Sequence, residues 1–124
     1  MIIIILVIIG GALGTLCRYG ISSSIYLLLG RDFPYGTLAV NLLGSIIIGS
    51  VYILAIEKIN ISEELRTGIT VGFLGAFTTF STFSIETMNL IESGELTKAG
   101  LNIALSIILC IGGCWLGMNV ARQI

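Results

Sequence analysis

The run "TTFSTFS", from Thr78 to Ser84, puts five hydroxyl side chains and two phenylalanines inside a stretch that otherwise reads as a membrane helix; Glu86 follows after Ile85. Hydroxyls both donate and accept hydrogen bonds. A phenylalanine ring is positive at its edge and negative on its face. Ring edges aimed into a pathway would stabilise a small anion without holding it as tightly as a fixed charge. Phe80 and Phe83 are three apart and share a helix face. Core packing is the plain alternative for two rings at that spacing. Thr79, Thr82 and Glu86 fall on a neighbouring face. A carboxyl group this deep in a span is not expected to face lipid, and Glu86 is read as either protonated or hydrogen-bonded to Thr82.

The backbone of this run carries chemistry too. Gly72 and Gly75 loosen the helix, and hydroxyls that compete for backbone bonds follow. The expectation is a break in the third helix at mid-membrane. A break frees N–H and C=O groups, tolerated at depth only where protein, water or an ion satisfies them. Freed carbonyls suit a cation, and freed amides and hydroxyls suit an anion.

Three other polar features lie where apolar side chains would cost least. Asn41, in "GTLAVNLLGS", is either interhelical glue or a donor to an anion. Arg18 sits well inside the first span, where an arginine costs about 2.5–3.5 kcal/mol on insertion scales. It either snorkels or meets a buried partner, the carbonyls of the break or a polar group on the second helix. Asn102, Ser106, Cys110 and Cys114 recur every four residues along one face of the fourth helix, a stripe that ordinary weakly polar packing would also produce.

The elements that must position these groups follow from composition. Of 124 residues, 56% are hydrophobic and only 10% charged, with mean hydropathy +1.07, so the chain belongs in a membrane. Four apolar segments span about residues 2–29, 37–56, 67–91 and 99–121, each near the roughly 20 residues a bilayer requires. "GRDFPYG", "EKINISEELR" and "ESGELTK" separate them as surface connections. The expected fold is all-α, a single integral membrane domain over residues 1–124, without a soluble domain. The opening "MIIIILVIIGGALG" lacks a basic stretch and is read as part of a mature helix. Glycine pairs at four-residue spacing (Gly10 and Gly14, Gly68 and Gly72, Gly113 and Gly117) predict close helix approach.

Charge and residue content exclude several functions. A net charge of −1 offers nothing to nucleic acid. There is no histidine, and Cys17, Cys110 and Cys114 all lie in apolar runs, so no disulfide framework or metal cluster is expected. No nucleophile–base pair is visible, and an enzyme is not expected. One face of the membrane would carry Lys58, Arg66 and Arg122, the other Arg31 and Lys98. That near-balance permits insertion both ways, and hence pairing with an inverted copy.

"GGALGTLCRYG", "PYGTLAVNLLGS" and above all "GFLGAFTTFSTFSIE" resemble the Fluc (CrcB) family of fluoride channels, over essentially the whole chain. The resemblance implies an antiparallel, dual-topology homodimer with a pore along each side. It implies a structural sodium ion at the dimer centre, held by backbone carbonyls of Gly75 and Thr78 of each copy. It implies a fluoride pathway with Phe80, Phe83 and Asn41, helix-four positions Ser106, Cys110 and Cys114, and the polar positions Thr82 and Glu86, with Thr37 near them and Thr79 alongside. Arg18 matches a family arginine.

The expected function is therefore passive, fluoride-selective export from the cytoplasm, protecting against fluoride toxicity, in the inner cell membrane of a prokaryote. No P-loop suggests ATP use. A small proton-coupled multidrug exporter of dual topology is the alternative; it would have to rely on Glu86, since the first span holds no carboxylate. A non-transporting scaffold would explain the glycine pairs but not polar stripes on three helices.

Overall fold

A computed structural model describes all 124 residues, and it is helical throughout. Helix α1 runs Ile2–Leu29, an unbroken apolar run without proline, and stops where Gly30 takes φ 83°. Helix α2, Tyr35–Ile53, starts directly after Pro34 and continues through wider π-type turns over Leu54–Lys58. Helix α3 is the short Glu63–Thr67, extended by π-type turns over Gly68–Leu74. Helix α4, Gly75–Phe77, and helix α5, Phe80–Glu92, are separated by Thr78 and Thr79. Helix α6 spans Leu96–Gln123, after a turn in which Gly94 takes φ 83°.

Two features differ from the sequence reading. The connection between the second and third spans is mostly helical rather than a loop. Ser62 caps α3, its Oγ accepting from Leu65 N–H at 3.2 Å, and Glu63 and Glu64 add negative charge at the dipole's positive end. The loosened part of the third span also extends further upstream, over Gly68–Leu74.

Glycine determines how the helices meet. α1 packs along the Gly68–Leu74 turns, and α2 along α6. A β-carbon on Gly10 would stand 2.4 Å from the Gly68 carbonyl oxygen, and one on Gly72 would stand 2.8 Å from that of Val7. Across α2 and α6, a β-carbon on Gly117 would stand 2.0 Å from the Ile46 carbonyl oxygen. Ser50 Oγ joins the same contact, donating to the carbonyls of Ile46 at 3.0 Å and Gly117 at 3.1 Å. Lipid supplies little hydrophobic drive between helices, so close van der Waals approach must do this work.

The outer surface is apolar. Only 20 of the 124 residues are buried, and Ile, Leu, Val, Phe and Trp side chains face outward along the helices. Four helical segments are long and apolar enough to cross a membrane: Ile2–Leu29, Tyr35–Lys58, Glu63–Glu92 and Leu96–Gln123. Charged pairs sit at their ends, Arg122 with Glu57 and Lys98 with Glu95, each at 3.9 Å.

Candidate functional site

The interruption between α4 and α5 is two residues long, with Thr78 at φ −92°, ψ 159° and Thr79 at φ −152°, ψ 115°. In a continuous helix, Thr79 N–H would bond to the Gly75 carbonyl, and Thr82 N–H to the Thr78 carbonyl. Both donors are diverted to side chains. Asn41 Oδ1 accepts from Thr79 N–H at 2.8 Å, and Thr79 Oγ1 accepts from Thr82 N–H at 3.1 Å. The Gly75 and Thr78 carbonyls are thereby deprived of their regular helical donors. Asn41 closes the pairing by donating from Nδ2 to the Thr79 carbonyl at 3.1 Å.

Neighbouring residues hold this arrangement. Ser45 Oγ donates to the Asn41 carbonyl at 2.7 Å. Thr78 Oγ1 donates to the Leu74 carbonyl at 2.9 Å, folding its side chain back along the preceding turn. Gly44 supplies the space, since a β-carbon there would meet Thr78 Cγ2 at 2.2 Å. Asn41 is thus interhelical glue at the break. Its second Nδ2 hydrogen is not used in these bonds and remains available to a ligand.

A cavity of about 480 Å³ opens beside the break. It brings together Asn41, Thr79, Phe80, Phe83, Ser106 and Cys110, with Gly75 and Thr78 on its wall. The Phe80 and Phe83 rings lie 5.3 Å apart, tilted by 48°. Phe83 is half-buried, whereas Phe80 is 79% exposed. Cys114 does not line this cavity; its backbone packs against Gly49. Asn102, 2% exposed, donates to Thr87 Oγ1 at 2.9 Å and ties α6 to α5.

Thr37 and Thr82 lie elsewhere. They line a second, polar cavity of about 240 Å³, with Arg18, Thr15, Tyr19 and Ser22. Arg18 is half-buried there and forms no ion pair or hydrogen bond within the chain. Thr79 borders both cavities, and its hydroxyl donates to Thr82 Oγ1 at 3.0 Å.

Glu86 stands outside both cavities. Tyr26 Oη donates to Glu86 Oε2 at 2.5 Å, and Thr37 Oγ1 donates to Oε1. Its partners are therefore on α1 and α2 rather than Thr82. Tyr26 was not singled out from the sequence: in "SSSIYLLLG" it resembles an aromatic anchor near a helix end, and its partner is sixty residues away.

The chemistry of a cation site can be read from the donors. No group of three or more His, Cys, Asp or Glu side chains converges anywhere in the chain. What the break offers is carbonyl oxygen, at Gly75 and Thr78. Neutral, hard oxygen donors fit an alkali cation and not a soft transition metal.

Comparison with known proteins converges on one family. The family described as CrcB-like protein, Camphor Resistance (CrcB), matches residues 5–118. The chain is 48% identical to the fluoride-specific ion channel FluC of Geobacter sulfurreducens over the whole of both chains. It is 47% identical to that of Coxiella burnetii, over 98% of each. It is also 48% identical to that of Methylococcus capsulatus, over 93% of this chain but half the length of that relative.

Proposed function

Because the chain belongs to the CrcB family, with its matched region covering residues 5–118, we propose that it is a fluoride-selective ion channel, a passive membrane conductor and not an enzyme. Its physiological role is export of fluoride from the cytoplasm of a prokaryote across the inner membrane, which limits fluoride toxicity.

The single observation that carries the mechanism is the diversion of Thr79 N–H from Gly75 to Asn41. It supports a break at mid-membrane whose two sides serve different ions. On one side, the Gly75 and Thr78 carbonyls would hold a structural sodium ion together with the same carbonyls of a second copy. Bound there, sodium supplies positive charge that neutralises the exposed carbonyl dipoles at the dimer centre. On the other side, the pathway runs along Asn41, Phe80, Phe83, Ser106 and Cys110, with Thr79, Thr82, Thr37 and Glu86 continuing it toward one membrane face.

Each group replaces part of the hydration of fluoride. The unused Asn41 Nδ2 hydrogen and the Ser106 hydroxyl donate to it, and the Phe80 and Phe83 ring edges present weak positive potential. None is a full positive charge, so the ion is stabilised without being trapped. Conduction requires binding weak enough to allow exit.

An antiparallel homodimer is supported by two features. Phe80 is largely uncovered in the single chain, and Gly75, which borders the same cavity, is exposed. A second copy would close that side. The small charge bias between the membrane faces is compatible with a partner inserted upside down. The drug-exporter reading loses its main support, because Glu86 has both oxygens engaged by Tyr26 and Thr37.

The direct test is efflux from liposomes containing the purified protein, followed with fluoride and chloride electrodes. Rapid fluoride efflux with little chloride efflux is expected. Absence of fluoride efflux, or proton-driven uptake of an organic cation instead, would overturn the reading.

A further inference from the structure

Helix α5 is tied to α6 at one buried point. Thr87 is the only buried residue of α5, and Asn102 of α6 donates from Nδ2 to its Oγ1 at 2.9 Å. No other side-chain hydrogen bond joins these two helices. Having accepted there, the Thr87 hydroxyl turns its own hydrogen back along α5 and donates to the Phe83 carbonyl at 2.7 Å. A buried amide on α6 is thus linked, through one hydroxyl, to the backbone of a residue that lines the larger cavity.

The register places this tie beside that cavity. Contact between residues fifteen apart, across the turn at residues 93–95, makes the two helices antiparallel. Four residues from the tie along α5 stands Phe83, and four residues along α6 stands Ser106, about 6 Å away in each case. Both line the cavity of about 480 Å³. Beyond Asn102, α6 has no buried residue until Gly113, which packs against Leu42 and Ile46 of α2. Ser106 and Cys110 lie in the interval between. The α6 wall of the cavity is therefore suspended from two anchorages, Asn102 on α5 and the glycine contact on α2.

An anion between Phe83 and Ser106 gains from both only if the ring edge and the hydroxyl reach it together. We infer that Asn102 and Thr87 are a positioning pair for conduction: their hydrogen bond fixes the separation of Phe83 from Ser106 across the pathway. This rests on the proposed fluoride pathway, and it adds a determinant that touches no ion. The Asn41–Thr79 pairing holds one end of α5, and the Asn102–Thr87 bond holds the cavity from the other side.

The test replaces both partners at once. Asn102→Leu combined with Thr87→Val exchanges the bonded pair for apolar groups of similar shape, a change that costs little stability. If the pair merely supports the fold, this double variant should conduct like the parent. As a positioning pair, it should instead lose fluoride flux by about tenfold in liposomes, the scale of one hydrogen bond, with an unchanged size-exclusion profile. Thr87→Ser keeps the hydroxyl and is expected to pass fluoride like the parent. Parental flux in the double variant overturns the inference, and so does an equal loss in Thr87→Ser. A second readout is independent of flux. Cys110 lines the same cavity, and its labelling by a methanethiosulfonate reagent, located by tandem mass spectrometry, should be faster in the double variant because the α5 and α6 walls are no longer tied. Labelling at the parental rate overturns the inference whatever the flux. If the parent passes no fluoride, the proposed function fails, and the Cys110 rate alone decides whether this bond sets the cavity's width.

Discussion

Asn41 and Thr79 pair through both faces of one amide: the asparagine oxygen accepts from the threonine N–H at 2.8 Å, and its nitrogen donates to the threonine carbonyl at 3.1 Å. A side chain on α2 thus replaces the partners that a continuous helix would have given Thr79. Asn41→Ala leaves two backbone groups unpaired in an apolar setting, at about 1–3 kcal/mol for an unsatisfied buried group. It should lower both fluoride flux and resistance to unfolding. Flux assays beside denaturation of the detergent-solubilised protein check this; loss of flux with unchanged stability would count against the structural half of the claim.

Phe80 and Phe83 should behave differently. Neither ring makes a hydrogen bond, and Phe80 is mostly exposed in the single chain. Phe80→Ile and Phe83→Ile replace a ring edge with aliphatic carbon of adequate volume, so the fold should survive with a stability cost under about 1.5 kcal/mol. Fluoride flux should fall strongly in both. Liposome efflux together with size-exclusion profiles separates the two effects, and undiminished flux in both variants would remove the rings from the pathway.

Thr79 starts α5 as its cap, with its hydroxyl accepting from Thr82 N–H at 3.1 Å. Thr79→Ser retains the oxygen and should unfold much like the parent. Thr79→Ala should cost about 1 kcal/mol, the usual value for removing such a cap, because it leaves Thr82 N–H without its acceptor. Thermal unfolding of both variants side by side is the measurement, with alanine expected below serine.

Two glycines of α6 give opposite expectations. Gly117 lies against backbone, and a β-carbon there would stand 2.0 Å from the Ile46 carbonyl oxygen; Gly100 has nothing within 4 Å. Gly117→Ala must push α2 and α6 apart and should abolish the folded protein or lower its melting temperature sharply. Gly100→Ala should be neutral or stabilising by up to about 1 kcal/mol, through better helix propensity. Yield and melting temperature of the two variants decide it.

The four spans were legible because lipid imposes long apolar runs on a helix, and nothing else in this chain competes with that pattern. Thr78 and Thr79 leave the helical conformation where hydroxyls crowd after Gly75, but that two-residue extent was not legible. That extent depends on Asn41, thirty-eight residues upstream, taking a donor that Gly75 would otherwise keep. Asn41, Phe80, Phe83, Ser106 and Cys110 did come together around one cavity. Thr82 and Thr37 fell on the Arg18 side instead, because a four-residue spacing indicates a face but not which neighbour that face meets. Tyr26 escaped notice for the same reason: its environment is made by Gly36 and Glu86, both remote in sequence.

The diverted donors also predict an ion dependence. With Thr79 and Thr82 N–H groups engaged elsewhere, the Gly75 and Thr78 carbonyls lack their regular helical donors, and carbonyl oxygens in that condition raise the free energy of the folded state unless a cation meets them. A cation that binds only the assembled protein stabilises it by mass action, by about 2.7 kcal/mol at one hundred times its dissociation constant. Replacing sodium with N-methylglucamine, too large to enter a ring of carbonyls, should therefore lower the melting temperature and shift the purified protein toward monomer at constant ionic strength. Returning sodium should restore both, in a concentration-dependent way. Thermal unfolding and sedimentation of the same sample across a sodium titration check this, and a flat response would leave the two carbonyls without a ligand and the central cation without support.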